Sequence, residues 1–427
     1  MKKKIALLLS FVILFMMLAG CSQTQSTQNE KVNLDVIISQ YGNYTQGWWS
    51  QFENDFEKEN RDIDLKIEIV NWDDIYTVVN TRIATNQAPD ILNIDTFADY
   101  VADNLLMPAD EYTSDGLKSK IYPSFWNANE INGKVWALPI LASVRVLFSN
   151  MDLLKEAGIE EPPKTWDDVL VAGKAVKEKF GNSVIPWALD ISTDEGQADF
   201  AYYAWNNGGD FVDDEGKWAL NSEQNIEAME YIKTLFDSGF CNSDPYNDTK
   251  YPLQDAFSAG SLAMIIAPCN LYDFASNVNF SISPIPVNNG NEHTNMGVCD
   301  RLLTFKNEKV KNQAARTEAI TKFYDFFYET NRYSSYMVYE GFLPVTIDSS
   351  ELLSNNAVQF TKGGTEEKGD SKYFATFTEE LSLCKFYPSE KTEWIDVKQG
   401  IIAAEQKVCQ GMNAKEALDE LQASIQK

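Results

Sequence analysis

The apolar and polar positions of the chain divide it into a series of elements. Residues 34 to 40, Leu-Asp-Val-Ile-Ile-Ser-Gln, read as a buried strand, and Leu65, Ile67 and Ile69 alternate with polar residues as a second strand would. Between them Trp48, Phe52 and Phe56 recur at helical spacing among acidic residues. A further amphipathic stretch, Trp72 to Thr85, leads into a third strand at Asp90-Ile91-Leu92-Asn93-Ile94. That βαβ series predicts a parallel sheet covered by helices on both faces. The pattern restarts beyond Pro139. Thr165, with Asp168 three residues on, is an N-cap signature, and Val169, Ala172, Val176 and Phe180 form the apolar face of the helix behind it. Ile185 to Asp190 is strand-like and leads to an aromatic-rich segment from Phe200 to Phe211. Helices are predicted from about Glu223 to Ser238, around Ile320, Phe323, Tyr324 and Phe327, and between Trp394 and Ile425.

The first thirty residues have a different character. Lys2, Lys3 and Lys4 precede an apolar run from Ile5 to Ala19, the layout of a secretory signal peptide and too short to span a bilayer comfortably. Leu18-Ala19-Gly20-Cys21 resembles the lipobox of bacterial lipoproteins, which implies a signal at 1–20, a diacylated Cys21 as anchor, and a flexible tether over 21–30. Loss of the three lysines takes the formal charge from −27 to −30. With 63 Asp+Glu against 36 Lys+Arg, the body of the protein lacks the basic footprint that nucleic acid or an anionic lipid surface requires. Contact with the membrane is therefore expected through the lipid alone.

The remaining cysteines, at 241, 269, 299, 384 and 409, show no CxxC spacing and read mainly as small buried apolar residues, although one or two disulfides stay open. With a single histidine, His293, in a polar loop, a metal cluster, Ser-His-Asp chemistry and Cys-His chemistry all lack material. No GxxxxGK[ST] loop is present. No cofactor is expected.

Several landmarks, in order, resemble the extracytoplasmic solute-binding proteins of bacterial ABC transporters, in particular the carbohydrate-binding group related to maltose-binding protein. They are Ala88-Pro89-Asp90-Ile91, Asn132-Gly133-Lys134-Val135-Trp136-Ala137-Leu138-Pro139, the run from Leu147 to Ile159, Pro163-Lys164-Thr165-Trp166-Asp167-Asp168, Asn207-Gly208-Gly209, Phe257 to Met264, and Gly341-Phe342-Leu343-Pro344-Val345. The resemblance covers about residues 34 to 427. It implies an α/β, periplasmic-binding-protein-like fold: two α/β lobes joined by a hinge that the chain crosses several times, closing on a ligand between them. Lobe one would comprise 31–141 and 287–333, lobe two 146–285 and 336–427, with crossings near 139–145, 284–287 and 331–335. The implied role is the non-enzymatic, lipid-anchored ligand-binding subunit of an ABC sugar importer on the outer face of the cell membrane, a monomer when lipid-free, with permease subunits as partners.

A sugar offers apolar C–H faces to aromatic rings and hydroxyl edges to carboxylates, amides and Arg. Aromatic candidates at element ends are Trp48 or Trp49, Trp72, Trp205 and Tyr272. Period alone makes Trp49, turned about 100° from the Trp48 stripe, the better exposed of its pair. Polar candidates are Asp95, Asp190, Arg301 and Glu340. Cys269 and Asn270 stand where family members often carry an aromatic residue, which leaves Asn270 as a polar contact and Tyr272 as a substitute platform. A core or capping role stays open for most of these residues. The alternatives are the same scaffold carrying a polyamine, peptide or metal chelate, a surface-adhesion or sensor role, and, remotely, a secreted glycoside hydrolase built on a carboxylate pair.

Overall fold

A computed structural model describes residues 31–355, 359–362, 365–368, 377–381 and 383–426. The expected signal, the tether and Cys21 lie outside them. The sheet strands are β1 (Val32–Ser39), β2 (Ile63–Val70), β3 (Ile91–Ile94), β4 (Ala137–Asn150), β5 (Ile185–Trp187), β6 (Leu262–Pro268), β7 (Phe280–Ser283), β8 (Asn295–Thr304) and β9 (Cys384–Lys385). The principal helices are α1 (Thr45–Glu59), α2 (Trp72–Ala84), α3 (Trp166–Phe180), α4 (Gly196–Trp205), α5 (Glu223–Ser238), α6 (Lys250–Ser258), α7 (Gln313–Phe327), α8 (Thr330–Glu340), α9 (Trp394–Cys409) and α10 (Ala414–Ile425). Among the described residues no helix is long and apolar enough to cross a membrane.

The strands form one sheet in the order β2-β1-β3-β8-β4-β6-β5, with β7 beside β4 and β9 beside β8. Both ends are parallel, β2-β1-β3 and β6-β5, in keeping with the βαβ pattern. The centre is antiparallel, so the sheet is mixed rather than parallel throughout. The reason is the 14-residue β4, every residue of which is buried, against which β8 and then β7 return antiparallel. The chain was expected to cross back near 284–287. That stretch lies between β7 and β8, both of which run beside β4, and Val287 exchanges backbone bonds with Lys164 and Trp166 at the start of α3.

Three apolar clusters hold the layers. Leu34, Val36 and Ile38 face α1 and α7 while Ile37 faces α2, so β1 is buried on both sides and its apolar run is nearly continuous. A separate cluster gathers α3, α4, α5, α9 and α10 over β5 and β6. Helix α3 begins as its sequence predicts: the Thr165 hydroxyl accepts from the Asp168 amide at 3.2 Å and the Asp168 carboxylate from the Thr165 amide at 3.0 Å.

The apolar face of α1 runs through Trp49, Phe52 and Phe56, spaced three and four apart, and not through Trp48. Trp49, expected to be the more exposed of its pair, is 0% exposed, and Trp48 is the half-buried one. Helix α8 packs on this face, with Tyr336 at 4.6 Å from the Trp48 ring and 5.4 Å from Trp49.

Pro139 cannot donate to a neighbouring strand, and where it occurs the β4–β8 register slips by one residue between Asp300 and Arg301. The carbonyls of Pro139 and Ile140 are taken by the hydroxyls of Tyr328, at 2.6 Å, and Tyr333, at 2.8 Å. At the other end of β3, the buried Arg316 of α7 donates to Asp90 at 2.8 Å and to the Phe305 carbonyl at 2.7 Å, tying α7 to the sheet.

Candidate functional site

A cavity of about 470 Å³ opens over the antiparallel centre of the sheet, between its two parallel ends, within the range of small-molecule sites. Its floor is laid by alternation: Leu141, Ser143 and Arg145 project from β4 on one face, and Met296, Val298 and Asp300 do so from β8. One wall comes from the β1–β3 end. Tyr41 follows β1, Trp72, Asp73 and Tyr76 occupy the first turns of α2, and Asp95 follows β3. The opposite wall brings Glu195 from the start of α4, Lys250 and Tyr251 from the start of α6, Asn270 after β6, and Lys398 from α9.

The rings of the first wall pack edge to face, Tyr41 lying 5.9 Å from Trp72 and 5.1 Å from Phe342. The walls also touch one another. The Tyr251 hydroxyl donates to the Gln40 carbonyl at 3.1 Å, the Lys250 ammonium lies 5.9 Å from the Trp72 ring centre, and Lys398 is 3.7 Å from Asp95 and 5.1 Å from the Tyr76 ring centre.

Charge is concentrated in the floor and far wall. Burial raises the Glu195 carboxyl, but the Arg145 guanidinium, followed by Lys250 and Lys398, reverses that and brings it down to about 2. Asp300, buried and hydrogen-bonded by the Tyr41 hydroxyl at 2.7 Å, is pushed up to about 6, first by burial and then by the Asp95 charge. Tyr76 also donates to Asp95.

Residues 41–330 match the sequence profile of the bacterial extracellular solute-binding proteins. The chain belongs to that family. It is 27% identical over 325 residues, 74% of this chain and 77% of the relative, to a Brucella abortus protein named only as a binding protein. It is 22% identical over 243 residues, 55% of each chain, to the arabinooligosaccharide-binding protein of Bacillus subtilis. Among solved structures it is similar to a maltose-bound protein of T. maritima (14% identity, TM-score 0.78, 92% of this chain and 99% of that one). It is likewise similar to the GacH receptor of Streptomyces glaucescens (20% identity, TM-score 0.76, 92% and 98%). These likenesses establish the periplasmic-binding-protein-like fold.

In this solute-binding protein the residues expected to line the cleft part company. Trp72, Asp95 and Asn270 line the cavity together. Trp49 is enclosed by Phe323, Phe327 and Tyr336, and Trp48 stacks on Phe52 with its Nε1 donating to Ser335 at 3.3 Å. Trp205 is 3% exposed, its Nε1 donating to Asp210 at 3.1 Å, because the last turn of α4 faces the core beside Phe211. Tyr272 packs edge-on to Phe280, and Glu340 is buried at the end of α8; neither lines the cavity. Arg301, on the far side of the register slip from Asp300, has its donors engaged by Asn129, Ser389 and the carbonyls of Cys299 and Asp95. It braces the residue that reaches the cavity without lining the cavity itself.

The residues that sequence reasoning missed carried two kinds of signal. Asp73 and Tyr76 lie within one turn of Trp72 and share its end of the helix. Arg145 is the single cation in the apolar run of β4, a position that calls for a buried partner. Glu195, Lys250 and Lys398 stand on segments distant in sequence, and only folding brings them together. The cysteines at 241, 299, 384 and 409 are free thiols, and those at 269, 299 and 409 are buried.

Asp190 lies behind the far wall, lining a pocket of about 30 Å³ with Asp199. Its Oδ1 accepts from the Ser192 amide at 2.9 Å, and burial, with the Asp194 charge adding to it, pushes the group up to about 7. Glu405 of α9, fully buried beside Gly196 and Ile402, is raised far above the usual range by burial and then by Asp199 and Asp190. A carboxyl raised in the folded state contributes stability that is fully present below its unfolded value, near 4.3, and lost as pH rises through the folded one. Glu405→Gln is therefore expected to leave the melting temperature near pH 4 unchanged and to raise it at pH 8. Calorimetry at both values checks this, and an equal effect at both would contradict it.

Proposed function

We propose that this protein is the sugar-capturing subunit of an ABC importer, anchored outside the membrane through Cys21 and handing its cargo to permease subunits without chemical change. The reading rests on one observation above all: a cavity whose walls rise on either side of the sheet's centre, with the rings of Tyr41, Trp72 and Tyr76 gathered on one side and Glu195, Lys250 and Asn270 on the other. Such a cavity is assembled by closure, and a ligand that touches both walls shifts the protein toward the closed form. Lobe one in this reading carries β1 to β3 with α1, α2, α7 and α8, and lobe two carries β5 and β6 with α3 to α6, α9 and α10. The strands β4 and β8 serve as the hinge. Relatives whose names specify oligosaccharides support a sugar, and Trp72, Asp95 and Asn270 are proposed as contacts.

A polyamine is the second reading, because the cavity lining holds five carboxylates, Asp73, Asp95, Asp194, Glu195 and Asp300, against three cations. A thermal-shift screen with mono- and oligosaccharides, polyamines and peptides separates the two. A bound ligand at a hundredfold excess over Kd stabilises by roughly 2.7 kcal/mol. A sugar that shifts the protein and is recovered intact supports capture. A shift by spermidine with none by any sugar would replace the cargo, and a cleaved sugar would replace the role. Trp72→Ala is expected to weaken the sugar at least about tenfold with little change in the melting temperature of the empty protein.

A further inference from the structure

Building on the sugar reading, we infer that the cavity selects by charge, accepting neutral sugars and rejecting those with a carboxylate, and that Glu195 enforces this. A ligand carboxylate needs a cation whose charge is not already engaged. Arg145 Nη2 lies 3.0 and 3.2 Å from the two Glu195 oxygens. Lys250 lies 3.3 Å from Glu195 and 3.2 Å from Asp194, and Lys398 is held at 3.7 Å by Asp95. Each of the three cations lining the cavity thus has a carboxylate partner, and Glu195 alone engages two of them.

The remaining polar groups favour the same outcome. Among the described residues no cation pairs with Asp73 or Asp300 within 4.0 Å, and the buried Asn270 Oδ1 and Gln197 Oε1 accept no hydrogen bond. These are acceptors. A sugar hydroxyl can donate to them, whereas a carboxylate only accepts and would meet like with like. Glu195 acts through Arg145 and Lys250, so it is a positioning residue for specificity.

The test is calorimetric titration of the purified protein at pH 7 with maltose, laminaribiose, cellobiose and galactobiose, each paired with its form oxidised to a carboxylate at C6. Wild-type protein is expected to bind at least one neutral member and to bind its acidic counterpart at least about tenfold more weakly. In Glu195→Gln, which keeps the shape, frees Arg145 and leaves Lys250 with Asp194 alone, the ratio should fall to within about threefold, while Glu195→Asp retains it. A merely structural loss would weaken both members equally. Asp194→Asn, which frees Lys250 from one of its partners, should narrow the ratio partway and serves if Glu195→Gln does not fold. Equal wild-type affinity within a pair overturns the charge rule. An unchanged ratio in folded Glu195→Gln overturns the role of that residue. No binding by either member of any pair overturns the sugar reading and the selectivity with it.

Discussion

Trp49→Ala is expected to destabilise the protein by about 3–5 kcal/mol while leaving the ligand affinity of the molecules that remain folded within about twofold. The indole is fully buried, stacked at 5.3 Å on Phe327 and meeting Phe52 at 5.0 Å and Tyr336 at 5.4 Å. Alanine would leave a void where α1, α7 and α8 converge and would remove several aromatic pairs worth about 0.5–1.5 kcal/mol each beyond their burial. None of those helices lends the cavity a side chain from this contact. Denaturant unfolding monitored beside ligand titration checks both halves. A large affinity loss with unchanged stability would return Trp49 to the cleft. Trp72→Ala should behave in the opposite sense, so the two tryptophans form a matched test.

The error over Trp49 shows where legibility ended. A stripe at positions 48, 52 and 56 and one at 49, 52 and 56 are both helical, and they differ by about 100° at one residue only. Which of them faces the core depends on where α8 lies, and α8 begins more than 270 residues later. The strands β1, β2 and β3 and the helices α1, α2, α3, α5 and α7, by contrast, are readable, because each buries an apolar face or run of its own, whereas β4, buried along its whole length, and β8 show no such alternation. The sheet's antiparallel centre is not readable, since nothing local in β8 says that it returns beside β4. For the cavity, position at an element end proved informative where the element itself ends at the cleft, as for Trp72 and Asp95. It failed for Trp205, whose helix ends in the core. The ion-paired set of Arg145, Glu195 and Lys250 was beyond reach, because its spacing exists only in space.

The apolar periodicity says nothing of a buried ion pair, and here the second large effect is expected. Asp90→Ala should cost about 3–5 kcal/mol, because Arg316, 1% exposed, would keep its charge and lose its carboxylate. The loss is not that of a favourable pair so much as the creation of an uncompensated one. Replacing both partners discriminates the two: Asp90→Ala with Arg316→Met removes the charge along with its partner and should recover much of the stability. The recovery stops short of complete because Asp90 Oδ2 also accepts the Asp35 amide at 3.0 Å and Arg316 also serves the Phe305 carbonyl at 2.7 Å. Urea midpoints of the two single variants and the double variant measure the coupling. If the double variant is as unstable as the sum of the singles, the pair is not acting as a pair and the charge argument fails. Asp90 immediately precedes the strand after which Asp95 reaches the cavity, so the same series tests transmission along β3. The folded Asp90→Ala protein should bind as wild type does, because Arg301, not Arg316, holds the Asp95 backbone in place.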